Sequence, residues 1–90
     1  MNLEQFWESG ECLAIHCDTK EKATKLCKKF DKMGKTRGYG LSYLENNHWF
    51  RCGKDTCYSN CGTYSDKQEY LDNDWEVIEF DDLDDFKESK

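Results

Sequence analysis

Apolar side chains between residues 18 and 33 fall at helical intervals: Ala23, Leu26, Cys27, Phe30 and Met33 recur at i, i+3, i+4, i+7 and i+10. This spacing puts them on one stripe of a helix, with Lys22, Lys25, Lys29 and Lys32 on the opposite stripe. Asp18 suits the N-cap, and Glu21, three residues on, suits the return bond of a capping box. Gly34 suits a left-handed ending, and the lysines of the last turn complement the negative end of the helix dipole. A helix over residues 18–33 is therefore the element around which the rest of the chain is arranged.

On either side the period changes from 3.6 to 2. Residues 2–9 predict a short helix that tucks Phe6 and Trp7 onto the domain edge and ends at Gly10. Residues 12–17 predict a strand with Leu13, Ile15 and Cys17 on one face and Cys12, Ala14 and His16 on the other, the first set facing the helix. Tyr39, Leu41 and Tyr43 alternate as a second strand, 45–47 has turn chemistry, and 48–52 reads as a third strand. Residues 53–56 resemble a hairpin loop into Cys57-Tyr58. Ser65 with Gln68 suggests a capped helical turn through Leu71, stopped by Asn73-Asp74, and residues 75–80 form the last strand. The tail 81–90 is expected to fray, with Leu83 and Phe86 as its docking residues. The order predicts an α+β fold: a small antiparallel sheet of four to five strands on one amphipathic helix.

Composition narrows this to one domain, residues 1–90. The chain has no proline and no low-complexity linker, and its 37% hydrophobic content includes 3 Trp, 5 Tyr and 5 Phe, enough large side chains for a modest core. No apolar run approaches the ~18 residues of a membrane span, and the N-terminus lacks a signal-peptide core, which predicts a cytoplasmic protein with no membrane partner. The net charge of −6 is unevenly placed. Residues 1–65 carry 10 Lys/Arg against 8 Asp/Glu, whereas residues 66–90 carry 3 against 11. An acidic end beside a basic helix face disfavours a general nucleic-acid binder. Eight acids over residues 72–85, spread over an extended ~46 Å, also fall short of the one charge per ~1.7 Å of duplex DNA.

Candidate chemistry is sparse. His48, Cys52, Cys57 and Cys61 offer four soft ligands at H-x3-C-x4-C-x3-C, and Cys52 and Cys57 would face each other across the expected hairpin. That geometry would admit zinc or a disulfide, but the tight C-x2-C knuckle is missing, and reduced structural thiols are the expectation for cytosolic cysteines. His16 and Cys17 are adjacent and so point to opposite strand faces, which removes them as a nucleophile–base pair and leaves His16 as a solvent-facing residue. Gly34, Gly38 and Gly40 follow a helix and do not precede one, so they are turn glycines and no phosphate loop. Neither enzymatic activity nor a cofactor is expected. The materials of a protein interface are present instead, in Trp49, Tyr58 and Tyr64 and in the acids Asp72, Asp74, Glu79, Asp81, Asp82, Asp84 and Asp85.

Three stretches, CLAIHCDTKEKATKLCKKFDKMGK, HWFRCGKDTCY and GTYSDKQEYLDNDWEVIEFDDL, together resemble small accessory proteins of phages and prophages of low-GC Gram-positive bacteria. The resemblance implies an inhibitor of host defence of the anti-CRISPR kind. On that reading a non-enzymatic acidic and aromatic surface would bind a host protein, such as a CRISPR effector with a basic nucleic-acid groove, in the cytoplasm of an infected or lysogenic cell. No direct contact with nucleic acid is expected. Two alternatives stand beside it: a module that sequesters a small molecule or nucleotide by Trp/Tyr stacking and lysines, and a small zinc-binding structural domain.

Overall fold

The apolar stripe forms the helix it predicts. In the computed structural model, which describes residues 1–36, 40, 42–43 and 49–86, α2 spans Lys20–Lys32 and buries Ala23, Leu26, Cys27 and Phe30. Its cap is Thr19 and not Asp18: Thr19 Oγ1 accepts from Lys22 N at 3.2 Å, while Asp18 turns outward to take Lys22 Nζ at 2.7 Å. At the far end Gly34 has φ +78°, and two backbone bonds close the helix, Lys35 N to Phe30 O and Gly34 N to Asp31 O.

Ahead of α2 lie α1 (Leu3–Glu8) and β1 (Leu13–His16). Behind it come α3 (Trp49–Cys52), a 3-10 turn at Gly53–Asp55, β2 (Thr56–Ser59), β3 (Tyr64–Asp66), α4 (Lys67–Asp72) and β4 (Glu76–Glu79). Two 3-10 turns, Phe80–Asp82 and Asp84–Phe86, complete the described chain.

The expected α+β architecture is present. Among the described residues the sheet has four strands in the order β3-β2-β1-β4. It is mixed and not wholly antiparallel, because β1 pairs antiparallel with β2 but parallel with β4, Ala14 opposite Val77 and His16 opposite Glu79. The pairings put β3 and β4 parallel to each other at opposite edges. No tight turn can join such strands, so the chain crosses through α4, which covers the second face of the sheet.

That crossover explains why all four residues of β1 are buried. One face (Leu13, Ile15) meets α2 and α1 in the main core with Leu3, Phe6 and Leu83; the other (Ala14) meets Cys57 and Tyr70 in a smaller one. The main core is largely aromatic. Phe30 stacks on Phe6 at 6.2 Å and lies 5.0 Å from both Trp7 and Tyr43, and Tyr43 reaches Tyr58 at 6.5 Å.

Several local expectations are corrected. Residues 49–52 are helical and not strand: five alternating residues are too few to separate the two periods, and Gly53 at φ +56° turns the chain before β2 begins. Cys52 and Cys57 therefore do not face each other across a hairpin. Of the second strand, Tyr39 and Leu41 lie outside the described residues, as do 45–47 and His48, while Tyr43 sits in a turn. The cap of α4 is Asp66, whose Oδ1 accepts from Glu69 N at 2.8 Å, in place of Ser65. Residues 81–86 do not fray, because Leu83 is fully buried in the main core and Phe86 stacks on Phe80 at 4.4 Å.

Candidate functional site

On β4, Glu79 shares a face with Val77 and meets two side chains, His16 and Lys67. Its Oε1 lies 2.6 Å from His16 Nδ1, and its Oε2 accepts from Lys67 Nζ at 3.0 Å. His16 Nε2 in turn donates to the Lys54 carbonyl at 2.6 Å. Contrary to expectation His16 is buried, because α4 and the turn before β2 cover its side of β1. Burial pushes the Glu79 carboxyl up, but the bonds from His16 and Lys67 outweigh it and hold the group below the usual carboxylate range. Both imidazole nitrogens and both carboxylate oxygens are occupied, so the cluster acts as a clasp between β1, β4 and α4.

A second polar cluster stands at the other end of the same layer. The buried Ser59 hydroxyl lies 2.6 Å from Thr63 Oγ1, which is 3.1 Å from the Tyr70 hydroxyl. Cys61 Sγ lies 3.2 Å from Ser59 Oγ. Burial raises the Tyr70 phenol above its ordinary value, against the bonds from Thr63 and Ser59.

All six cysteines are free thiols. Burial lifts Cys17 far above its ordinary value and Cys57 to about 12, and it also raises the half-buried Cys52. Thiols held in that form are poor nucleophiles and poor metal ligands. Cys57 is enclosed beneath α4 while Cys61 is exposed on the following turn, and among the described residues no group of three or more His, Cys, Asp or Glu is arranged to hold a metal. His48, the remaining member of the proposed ligand set, lies outside those residues.

The expected interface residues do not form one surface. Tyr58 is fully buried under α2, and burial raises its phenol well above its ordinary value, so it offers nothing to a partner. Trp49 and Tyr64 are half-buried against the main core. Among the acids, Asp72 Oδ1 accepts from Gln68 Nε2 at 2.8 Å, Asp81 pairs with Lys22 Nζ at 2.9 Å, Asp84 lies 3.4 Å from the Met1 amino group, and Asp85 Oδ1 accepts from Leu3 N at 2.6 Å. Asp74 and Asp82 are exposed, Asp74 at φ +62°. The acids of residues 81–85 thus fasten this segment to the N-terminus, α1 and α2 while its outer surface stays charged.

Two residues absent from the expected set are, among the described residues outside the N-terminus, the most exposed large apolar side chains: Phe50 at 75% and Leu71 at 45%. Leu71 borders a cleft between α3 and α4 together with Arg51, Asp55, Asp66 and Lys67. Strand parity concealed Phe50, since in a strand it would alternate with Trp49, whereas the helical turn directs it outward. Among the described residues no helix is long and apolar enough to cross a membrane. Comparison with protein-family models, characterised proteins and solved structures gives no match.

Proposed function

We propose that this chain is a non-enzymatic binding protein that occupies the surface of a macromolecular partner, in the specific form of a phage-type inhibitor of a host defence effector. The observation that carries the binding role is the exposure of two large apolar side chains, Phe50 on α3 and Leu71 on α4. An aromatic side chain three-quarters exposed, next to Arg51 and within a few residues of Asp55, has the composition of an interface anchor with a polar rim. The exposed acids on and after α4 (Glu69, Asp72 and Asp74) add negative charge to the surface, which speeds encounter with a basic nucleic-acid groove more than it tightens the complex. The choice of a defence effector rests on the resemblance of the sequence to phage accessory proteins.

The test is phage restriction in cells carrying a CRISPR or other defence system, with and without this protein. Restriction should fall when the protein is expressed, and Phe50→Asp with Leu71→Asp should restore it while leaving the melting temperature near that of the wild type. Unchanged restriction across the systems tried would overturn the inhibitor reading. Full inhibition by the folded double variant would move the contact away from α3 and α4.

A further inference from the structure

Residues 20–35 carry seven lysines against two acids, a local charge of +5 in a chain whose total is −6. Lys22 is engaged by Asp18 and Asp81, and Lys35 lies 5.3 Å over the Trp7 ring. Lys25, Lys28, Lys29 and Lys32 form no ion pair with another described residue and fall at i, i+3, i+4 and i+7 on α2. The result is a basic stripe along a helix ~20 Å long.

The acidic C-terminal turns run beside that stripe. Asp81 is tied to Lys22, Phe86 borders the cleft of Lys25, Lys28, Lys29 and Lys32, and Asp85 borders the groove next to Lys29 and Met33. Asp82 faces solvent on the same segment, and Asp84, although paired with the Met1 amino group, is 60% exposed there. Opposite charges thus lie side by side, with the half-buried Phe86 at the seam.

We propose that this bipolar face binds the same face of a second copy of the chain. A two-fold axis running along the seam sets each basic stripe over the other copy's acidic segment and brings the two Phe86 rings together, so every favourable contact occurs twice. A polyanion such as nucleic acid would complement the lysines and be repelled by the acids beside them, whereas a second copy satisfies both. The contact relies on exposed charge, so it is weak and falls with ionic strength. It stands independently of the defence role.

Sedimentation equilibrium of the full chain tests it. At ~0.1 M salt the mass should rise with concentration from 10.7 kDa towards twice that value, and return to a single chain at ~1 M. Lys25→Glu with Lys32→Glu should be monomeric, as should Asp82→Lys with Asp84→Lys, while an equimolar mixture of the two should associate, because each supplies the charge the other has lost. Circular dichroism establishes that both variants fold. A wild type that stays monomeric at low salt overturns the proposal, including one that instead retards a labelled oligonucleotide through the lysine face. So does association that survives ~1 M salt and both sets of substitutions, and so does failure of the folded variants to pair.

Discussion

The two faces of the sheet are held by different physics. Against α1 and α2 the main core is built of aliphatic and aromatic side chains, with Phe30 packed against the rings of Phe6, Trp7 and Tyr43, the last of which reaches Tyr58. Against α4 the buried apolar set shrinks to Ala14, Cys57 and Tyr70, flanked by the His16–Glu79–Lys67 clasp and the Ser59–Thr63–Tyr70 hydroxyl cluster. Hydrophobic burial is indifferent to pH and non-directional, whereas hydrogen bonds and ion pairs are directional and responsive to proton concentration. The comparison teaches that α2 supplies stability and α4 supplies register: the clasp bonds join the β1–β4 pair that no hairpin enforces.

The largest effect should come from breaking the apolar side. Phe30→Ala should cost about 3–5 kcal/mol, a large share of the stability of a domain this size, seen as a collapse of the melting temperature. On the α4 side, Tyr70→Phe keeps the ring against Trp75 and removes only the hydroxyl with its bonds to Thr63 and Ser59, for a loss of about 1 kcal/mol. A melting loss for Tyr70→Phe equal to that of Phe30→Ala would show that the two layers share the load.

The ends of the two helices sharpen the same contrast. Both α2 and α4 finish with paired backbone bonds, Lys35 N to Phe30 O in one and Trp75 N to Tyr70 O in the other. The left-handed residue is Gly34 in the first and Asp74, at φ +62°, in the second. Asp74→Gly should relieve that strain and stabilise the protein by about 0.5–1 kcal/mol in denaturant titrations, less than the relief itself because glycine also loosens the unfolded chain.

The smallest effect is the one that depends on pH. The folded-state carboxyl of Glu79 sits below its unfolded value, so its stabilisation is present above the unfolded value and is lost as pH falls from the ordinary carboxylate range through the folded one. Its side chain is 42% exposed, so solvent screening keeps the loss in Glu79→Gln at neutral pH below about 1 kcal/mol. The gap between wild type and Glu79→Gln, followed by thermal melts, should narrow on acidification; a gap that widens would mean the clasp is held by something other than the carboxylate charge.

Legibility in the sequence followed the range of the forces involved. A 3.6-residue period sustained from Ala23 to Phe30, with Gly34 after it, specified α2 almost alone, because those interactions lie within a few residues of one another, although the cap proved to be Thr19 and not Asp18. The alternation of residues 12–17 marked β1 and set Leu13 and Ile15 towards the helix. Parity failed at 49–52, where too few residues carried the pattern. It also could not tell that the face bearing His16 would be covered, since that depends on where α4 lands. As for the candidate surface, the acids and aromatics were visible as residue types, but Tyr58 proved buried and Phe50 exposed.

The sequence by itself determined the helix α2, the central strand, the α+β class and the segregation of charge between the middle and the end of the chain. Only the tertiary structure decided that β4 pairs parallel to β1, that α4 closes the second face, that His16 is enclosed, and that residues 81–86 fold back along α2. The division has one physical cause. Periodicity and capping are satisfied between near neighbours, whereas bonds such as Leu3 N to Asp85, or His16 to Glu79, join residues far apart along the chain and exist only once the intervening elements have packed.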